Sequence, residues 1–320
     1  MALFSNPKGG RNLRNMPEVR RIAAGYPNVK AFEATLGKDI RAELAAIAVA
    51  RPQVLVINAG DGTIHTLLTA MHETRAFETL PMLALISGGS TNMDTGDVGP
   101  RRRQLPSLRR LLNWCREPVP AQASISTRCV MRFSPGAGHP PSYGMFFGAG
   151  LVTKGVQHHH DNMHRAGMRH GFGSAISTAR MLWAMARRDP NLIRPLRADL
   201  GVNGEACQPI ELMLLFASTL NRLLHGFRPF WNDAIDGGLH CTHIEYKPRH
   251  PLRVIPHLLL GKTHAQRTAA NGYHSSRIQR LEIHMDGVYT LDGETHEAKR
   301  ADGPMIITPA QRMAFLRIHA

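Results

Sequence analysis

The first 120 residues alternate between short apolar runs and amphipathic segments. Apolar runs at 1–6, 54–57 and 82–86 are short and continuous, which indicates buried strands. Between them, apolar side chains recur at spacings of three and four, which predicts helices that bury one face. Alternating strands and helices are typical of a parallel sheet covered by helices. The residues that define the helical faces are Val19, Ile22 and Ala23, then Ile40, Leu44, Ile47 and Ala48 within 39–49, then Ile64, Leu67, Leu68 and Met71.

The pattern changes near the proline-containing run at 118–120. Beyond it, apolar and polar residues alternate with a period of two, which favours antiparallel strands. Residues 174–187 are the exception, because their apolar residues have helical spacing. The period-two runs occupy 240–245, 277–284 and 288–291.

A chain of 320 residues fits one large or two medium-sized domains. No window approaches the roughly 18 apolar residues of a membrane span, and the N-terminus lacks the apolar core of a secretory signal. The cysteines form no C-x-x-C pair, so we expect reduced thiols rather than a disulfide framework or a zinc ribbon. These features predict a cytoplasmic protein. The cysteines are Cys115, Cys129, Cys207 and Cys241.

The chain is strongly basic, with a net charge of +15 and a pI near 10.5, which indicates anionic partners. Such a surface attracts nucleic acid, anionic lipid or phosphorylated substrates, and charge alone does not choose among them. Part of the excess charge lies over 101–116, where arginines stand among apolar residues at helical spacing. This segment predicts a helix with one basic and one apolar face. It is either a solvated surface helix or a contact with an anionic membrane.

A tight turn at 59–63 joins a predicted strand to a predicted helix. Gly60 and Gly62 allow a ligand to approach the backbone closely, and the helix that follows aims free N–H groups at an anion. Asp61 is unfavourable beside phosphate unless a cation stands between them, which favours a nucleotide bound with Mg²⁺. The alternative is an ordinary Asp-Gly turn in which Asp61 caps the helix.

Two further loops follow predicted strands. Both 5–11 and 87–92 are rich in glycine and small polar residues. In an open parallel sheet, loops at the carboxyl ends of the strands build the ligand crevice. Three such loops in one half of the chain favour a shared phosphate site over three unrelated turns.

Together these loops resemble the catalytic domain of the diacylglycerol kinase family, which includes bacterial lipid kinases and sphingosine kinases. The family's N-P-x-x-G loop is found at 6–10, its G-G-D-G-T signature at 59–63 and its G-T/S-x-N loop at 89–92, with matching order and spacing. The resemblance implies ATP and Mg²⁺ as cofactors. The residues that it places at the nucleotide are Asn6, Pro7, Gly10, Thr35, Gly60, Asp61, Gly62, Thr63, Gly89, Ser90, Thr91 and Asn92.

The family's D-G-x-L element is found at 236–239. Bacterial members hold a cation there through the aspartate and flanking backbone carbonyls. The resemblance therefore implies Asp236 as a metal ligand, with carbonyls near Asp233 and Gly238.

The family's late D-G-E element is found at 292–294, and the resemblance assigns the catalytic base to it. We expect Asp292 to accept the proton of the lipid hydroxyl, with Glu294 as the second choice. Asp61 is expected to serve the nucleotide by orienting the metal or its water, and not to be the proton acceptor.

The sequence departs from the family pattern in its loops. Ala59 replaces the first glycine of the signature and adds a methyl group near the phosphates. His65 and Thr66 stand where relatives usually have Asn and Glu. After Asn92, Met93 comes before the aspartate that follows directly in many relatives.

Family members fold as a three-layer α/β nucleotide domain plus an antiparallel β-sandwich domain, with the active cleft between them. The resemblance implies the nucleotide domain over 1–120, a β-rich lipid-substrate domain over 121–302 and a C-terminal segment over 303–320 that packs back on the first. The implied activity is an ATP-dependent lipid kinase. It would phosphorylate a diacylglycerol-like hydroxyl as a peripheral protein at the anionic inner membrane surface. We expect no nucleic acid partner, and a homodimer is one option.

Two other functions remain open at the level of sequence. NAD kinases carry a similar G-G-D-G turn in a related fold, although the loop at 6–10 and the elements at 236–239 and 292–294 favour the lipid kinases. The other alternative is a non-catalytic relative that binds nucleotide or membrane, which Ala59 and His65 support.

Two further signals predict no chemistry. Residues 261–263 resemble the end of a Walker A motif, but Pro256 stands where that motif needs glycine. Histidines crowd 157–170, and the spacing of His160 and His164 suits a metal on a helix. The segment has no H-E-x-x-H, and a solvated polar loop is the favoured interpretation.

Overall fold

The computed structural model describes most of the chain. The predicted helix at 174–187 and the histidine-rich segment at 157–170 lie outside the described residues. The described ranges are 1–34, 39–89, 92–100, 103–153, 194–223, 227–231, 238–259 and 262–319.

Strands and helices alternate along the first third of the described chain, and strands dominate after it. The strands are β1 (Ala2–Ser5), β2 (Lys30–Glu33), β3 (Val54–Ala59), β4 (Met82–Ser87), β5 (Ala123–Ser134), β6 (Ser142–Gly144), β7 (Phe146–Gly150), β8 (Leu196–Val202), β9 (Gln208–Ser218), β10 (Leu239–Glu245), β11 (Tyr273–Ile278), β12 (Leu281–Met285), β13 (Gly287–Leu291), β14 (Glu294–Ala298) and β15 (Met305–Ile318). The helices are α1 (Asn12–Ala24), α2 (Ile40–Val49), α3 (Asp61–Thr74), α4 (Met93–Val98), α5 (Gln104–Arg116) and α6 (Pro251–Leu259).

The N-terminal strands form a parallel sheet in the order β2-β1-β3-β4. Ser5 pairs with Asn58, and Ala59 pairs with Ser87. This register aligns the carboxyl ends of β1, β3 and β4. The loops that follow these strands therefore emerge at one edge of the sheet, where parallel sheets bind ligands.

The apolar stripe of α3 holds this edge in place. Ile64, Leu67, Leu68 and Met71 are all buried in the core that the helix shares with β3 and β4. Burial of such side chains stabilises the fold by about 1.5–3 kcal/mol each. The helix begins directly after β3, so this packing also fixes the direction of its N-terminus.

The C-terminal strands pair antiparallel and join the parallel sheet through β15. Phe315 of β15 pairs parallel with Leu83 of β4, while other parts of β15 run antiparallel to β5 and β12. The order continues from β12 through β8, β9 and β7 to β13 and β14. The predicted fold class, an α/β region followed by an antiparallel β region, is confirmed. The domain boundaries stay a prediction.

The single strand that the pattern predicts over 277–284 is wrong, because the structure has two strands there. β11 ends at Ile278 and β12 begins at Leu281. The break is held by Asn203, whose Oδ1 accepts the backbone N–H groups of Gln279 at 2.7 Å and Arg280 at 3.3 Å. Because this contact joins distant parts of the chain, the period-two pattern of residues 277–284 gives no sign of the break.

The basic helix α5 turns its apolar face inward. Leu108, Leu111 and Leu112 are buried in the core beneath the sheet. Membrane contact through α5 would therefore rest on its arginines. Within the described residues, no helix combines the length and the hydropathy needed to cross a bilayer.

Candidate functional site

A buried amide network fixes the first loop against β3. The Nδ2 of Asn12 donates to the carbonyl of Asn6 at 2.7 Å and to that of Asn58 at 2.8 Å. Gln104 of α5 donates to Oδ1 of Asn12 and, at 2.7 Å, to Oδ1 of Asn58. Asn6 in turn donates to Oγ1 of Thr63 at 2.8 Å. The first and second loops are thus bound to each other at the start of α3.

Close backbone packing joins the second loop to the third. A Cβ at Gly60 would lie 3.0 Å from Cα of Gly89, and a Cβ at Gly89 would collide with Gly60. Asn92 folds the third loop back, because its Oδ1 accepts the N–H of Gly89 at 2.9 Å and its Nδ2 donates to the Gly89 carbonyl at 2.7 Å. The φ of +55° at Asn92 suits asparagine. Glycine at 60 and 89 is therefore a packing requirement.

Asp61 lies inside this assembly and is 4% exposed. Its carboxylate accepts the backbone N–H groups of Met93 at 3.0 Å and Asp94 at 3.2 Å, at the start of α4. Burial raises the pKa of Asp61 to about 6, with a contribution from the charge of Asp292, although the backbone N–H groups oppose the rise. In this structure Asp61 holds the third loop, and its expected contact with a metal or its water stays a prediction.

A second buried acid, Asp94, lies beside Asp61. Its side chain is fully buried, and among the described residues neither of its carboxylate oxygens has a hydrogen-bond partner. Burial and the charges of Asp61, Asp292 and Asp97 raise the pKa of Asp94 well above its ordinary value. Buried charge without a partner is costly, so the neutral form of Asp94 is favoured.

The hairpin between β13 and β14 brings Asp292 to these loops. Leu291 pairs with Glu294, which leaves Asp292 and Gly293 as a two-residue turn with φ values of +46° and +87°. Asp-Gly is a preferred sequence for such turns. Asp292 is 1% exposed, and its Oδ1 accepts the N–H groups of Met145 at 3.0 Å and Phe146 at 2.8 Å. The turn thereby directs the carboxylate inward, between β6 and β7.

His65 completes the contacts of Asp292. Its Nδ1 lies 2.8 Å from Oδ2 of Asp292, and its side chain is 16% exposed. Burial lowers the pKa of His65, but the hydrogen bond to Asp292 and the charges of Asp292 and Glu294 outweigh it and raise that pKa above the ordinary value. The departure at position 65 thus places an imidazole on the acid that was predicted as the base.

Glu294 lies at the opening of the site. It is exposed and lines a cavity of about 250 Å³ together with Asn6, Gly62 and Thr63. A Cβ at Gly62 would collide with Oε1 of Glu294. The hairpin and the N-terminus of α3 therefore meet across this cavity. Its other lining residues are Ala34, Ile40, Glu43 and Thr66.

The donor set of this cavity fits a phosphate that carries a cation. Gly62 and Thr63 of the first turn of α3 line it, and the N-terminus of a helix together with a hydroxyl group suits phosphate oxygens. Glu294 is an oxygen ligand of the kind that Mg²⁺ prefers, and it would repel a phosphate without a cation. The residues thus fit the nucleotide and metal that the loops imply.

The structure brings together only part of the predicted set. Asn6, Gly62, Thr63 and Glu294 share the cavity, while Pro7 and Gly10 lie in the turn before α1. The carbonyl of Gly238 accepts a hydrogen bond from Arg277 at 2.8 Å. The predicted residues that lie outside the described ranges are Thr35, Ser90, Thr91, Asp233 and Asp236.

A second, larger cavity of about 390 Å³ lies away from all predicted site residues. It is bounded by α5, β4 and β15, and includes Arg110, Leu85 and Ile318 in its lining. Size alone therefore does not locate the chemistry. The polar groups that converge on the smaller cavity are the stronger argument.

Sequence reasoning missed several residues that build the site. Asn58 was visible as a polar residue at the end of an apolar strand, and Asp94 as an acid next to a glycine-rich loop. No feature of the sequence indicated that Gly144 belongs to the site. A Cβ there would collide with Oδ2 of Asp292 and lie 2.8 Å from Nδ1 of His65.

Comparisons with known proteins agree with this fold. Residues 1–118 match the family model of the diacylglycerol kinase catalytic domain, which confirms the resemblance over that range. A solved diacylglycerol kinase from Bacillus anthracis strain Sterne is 14% identical, with a TM-score of 0.60 over 100% of this chain and 96% of that one. A candidate diacylglycerol kinase from the same strain is 17% identical, with a TM-score of 0.65 over 100% and 94%. Such identities establish the fold alone. No protein of curated function matches the sequence.

Proposed function

We propose that this chain, whose residues 1–118 match a diacylglycerol kinase catalytic domain, transfers the γ-phosphoryl group of ATP to a hydroxyl of a diacylglycerol-like lipid. The observation that supports this most is the convergence of three loops and one hairpin at a single sheet edge. The loops follow β1, β3 and β4, and the hairpin carries Asp292 and Glu294.

Phosphate binding is assigned to the cavity beside α3. Asn6 and Thr63 offer side-chain donors there, and the first turn of α3 offers backbone N–H groups. Glu294 and Glu43 are carboxylates that line this cavity, and Glu294, on the same hairpin as Asp292, is the one that we assign to a divalent cation on the phosphates. Mg²⁺, when bound, neutralises phosphate charge. Positioning and charge neutralisation supply most of the lowering of the barrier in phosphoryl transfer.

Action at a membrane surface is the second part of the proposal. The net charge of +15 favours an anionic surface. On α5, Arg109 and Arg116 keep 51% and 59% of their side chains exposed, although they pair with Glu18 and Glu117, while the apolar face of the helix is buried. The attraction would therefore be electrostatic and would weaken as salt is added.

Labelled ATP tests the proposed reaction directly. The purified protein is incubated with ATP and Mg²⁺ and, separately, with diacylglycerol, a sphingoid base or NAD, the lipids being presented in anionic mixed micelles. We expect label in a lipid product. Label in NADP alone would instead identify a NAD kinase, and ATP binding without transfer to any acceptor would indicate a non-catalytic relative.

A further inference from the structure

The carboxylate of Asp292 is fully engaged inside the protein. Oδ1 accepts the N–H groups of Met145 and Phe146, and Oδ2 contacts Met145 at 3.2 Å and His65 at 2.8 Å. Only 1% of the residue is exposed. A substrate hydroxyl therefore has no free carboxylate oxygen to reach without breaking these bonds.

The imidazole of His65 lies between this buried acid and solvent, because 16% of its side chain is exposed. A carboxylate only accepts hydrogen bonds, so Nδ1 of His65 carries the proton of the shared bond. Nε2 then keeps its lone pair, at the opposite end of a ring that is 16% exposed. Gly62, three positions earlier on the same face of α3, lines the cavity.

The charges around His65 favour its acceptance of a proton. Among the described residues, Asp292 in the turn and Glu294 and His296 on β14 are the titratable groups that interact with it. The two acids raise the pKa of His65, while the pKa of His296 is lowered chiefly by burial and to a smaller extent by the charge of His65. An imidazolium formed at His65 would thus be stabilised by two carboxylates.

We propose that His65, oriented by Asp292, is the base that accepts the proton of the acceptor hydroxyl. This inference rests on the kinase function proposed above. The hydroxyl oxygen forms a bond to the γ-phosphorus of ATP while the bond from that phosphorus to the β–γ bridging oxygen breaks. ADP leaves with the electron pair of that bond. The hydroxyl proton moves to Nε2 of His65 and later passes to solvent.

Gly144 supports the same assignment. The space that a Cβ would fill at Gly144 is occupied by Oδ2 of Asp292 and Nδ1 of His65. The bare backbone of β6 thus allows the two side chains to meet.

Replacement of His65 by asparagine separates a base from a merely structural partner. The amide of His65→Asn can still donate to Asp292, but it has no basic nitrogen. His72→Asn is the matched control, since His72 lies on the same helix and its Nδ1 contacts the Leu68 carbonyl at 2.8 Å rather than a carboxylate. We expect His65→Asn to lower kcat roughly 10²–10⁴-fold with little change in the KM for ATP, and His72→Asn to retain activity.

The pH profile gives a second kinetic readout. The base acts in its neutral form, so kcat of the wild-type protein should rise as pH passes upward through the pKa of His65, and this limb should be absent in His65→Asn. Activity of His65→Asn within threefold of wild type, with the same acidic limb, would overturn the assignment.

An NMR titration of the imidazoles distinguishes failure of this inference from failure of the proposed function. The signal of His65, identified by its loss in His65→Asn, should titrate above the ordinary value in wild type and lower in Gly144→Ala. The pKa of His72 is lowered by burial, so its signal should titrate below the ordinary value for histidine. A signal of His65 that does not respond to Gly144→Ala would contradict the pairing.

Absence of transfer to every acceptor would overturn both the proposed kinase function and the role of His65 as base. The titration would still report whether His65 and Asp292 are paired.

Discussion

Gly144 and Asp292 are in such close contact that no side chain larger than hydrogen fits at position 144. The Asp292 carboxylate occupies the place of the missing Cβ, and Nδ1 of His65 lies 2.8 Å from the same point. Position 144 on β6 must therefore be glycine if the carboxylate of the β13–β14 hairpin is to keep its place, although the two segments are far apart in sequence. The pairing of His65 with Asp292 depends on this contact.

Gly144→Ala should separate His65 from Asp292. The added methyl must displace the carboxylate, so we expect activity to fall roughly 10–100-fold, with a loss of about 1–3 kcal/mol of stability from overpacking. Gly96→Ala is the control, because a Cβ at this exposed helical position meets nothing within 4 Å. It should leave activity unchanged and stabilise the helix by up to about 1 kcal/mol. Equal behaviour of the two variants in activity assays and urea melts would contradict the contact.

Asn12→Ala should weaken the first loop. It removes the hydrogen bonds from Nδ2 of Asn12 to the carbonyls of Asn6 and Asn58, and the bond from Gln104 to its Oδ1, which costs about 1–3 kcal/mol inside a buried network. Arg14→Ala, at an exposed position of the same helix, should change the free energy of unfolding by less than about 0.5 kcal/mol. Urea denaturation measures both. A loss at Asn12 no larger than that at Arg14 would show that the network does not hold the loop.

Much of the parallel sheet could be predicted because its signals are local. The apolar stripe of α3 and the glycine-rich loops after β1, β3 and β4 are visible within a few residues of sequence. The Asp-Gly turn at 292–293 is equally local, and so is its preference for positive φ. Such local features were enough to predict that the three loops lie at one edge of the sheet, where the structure places them.

The contacts that define the site could not be predicted, because they join distant residues. Asp292 receives its backbone donors from Met145 and Phe146, and its side-chain partner from His65, 227 positions earlier. The motif alone indicates that Asp292 is important but not that its oxygens point inward. Only the packing of β6 and β7 against the hairpin reveals this.

Asp94→Asn should change the dependence of stability on pH. The pKa of Asp94 is raised well above its ordinary value and that of Asp61 to about 6, so the folded state binds protons that the unfolded state releases. Stability should therefore fall as pH rises from about 4 through 6 and beyond. Asp94→Asn removes one of these groups and should make the decline between pH 5.5 and 7.5 shallower in thermal melts.

The control for this prediction is Asp39→Asn. The pKa of Asp39 is lowered, chiefly by the backbone N–H of Arg41, so this group is already ionised across the range and should leave the decline unchanged. A decline in Asp94→Asn as steep as that of wild type would show that Asp94 does not titrate with folding.

Asp292→Asn tests the central claim most directly, because it keeps the turn and removes the charge. Asparagine also tolerates the positive φ of position 292, so the hairpin and the nucleotide cavity should persist. The measurement is the transfer of label from ATP to a lipid hydroxyl, alongside the Kd for ATP by calorimetry. We predict loss of transfer by at least about 10²-fold with an unchanged Kd. Full activity in Asp292→Asn would contradict the proposal that this carboxylate orients the base of the reaction.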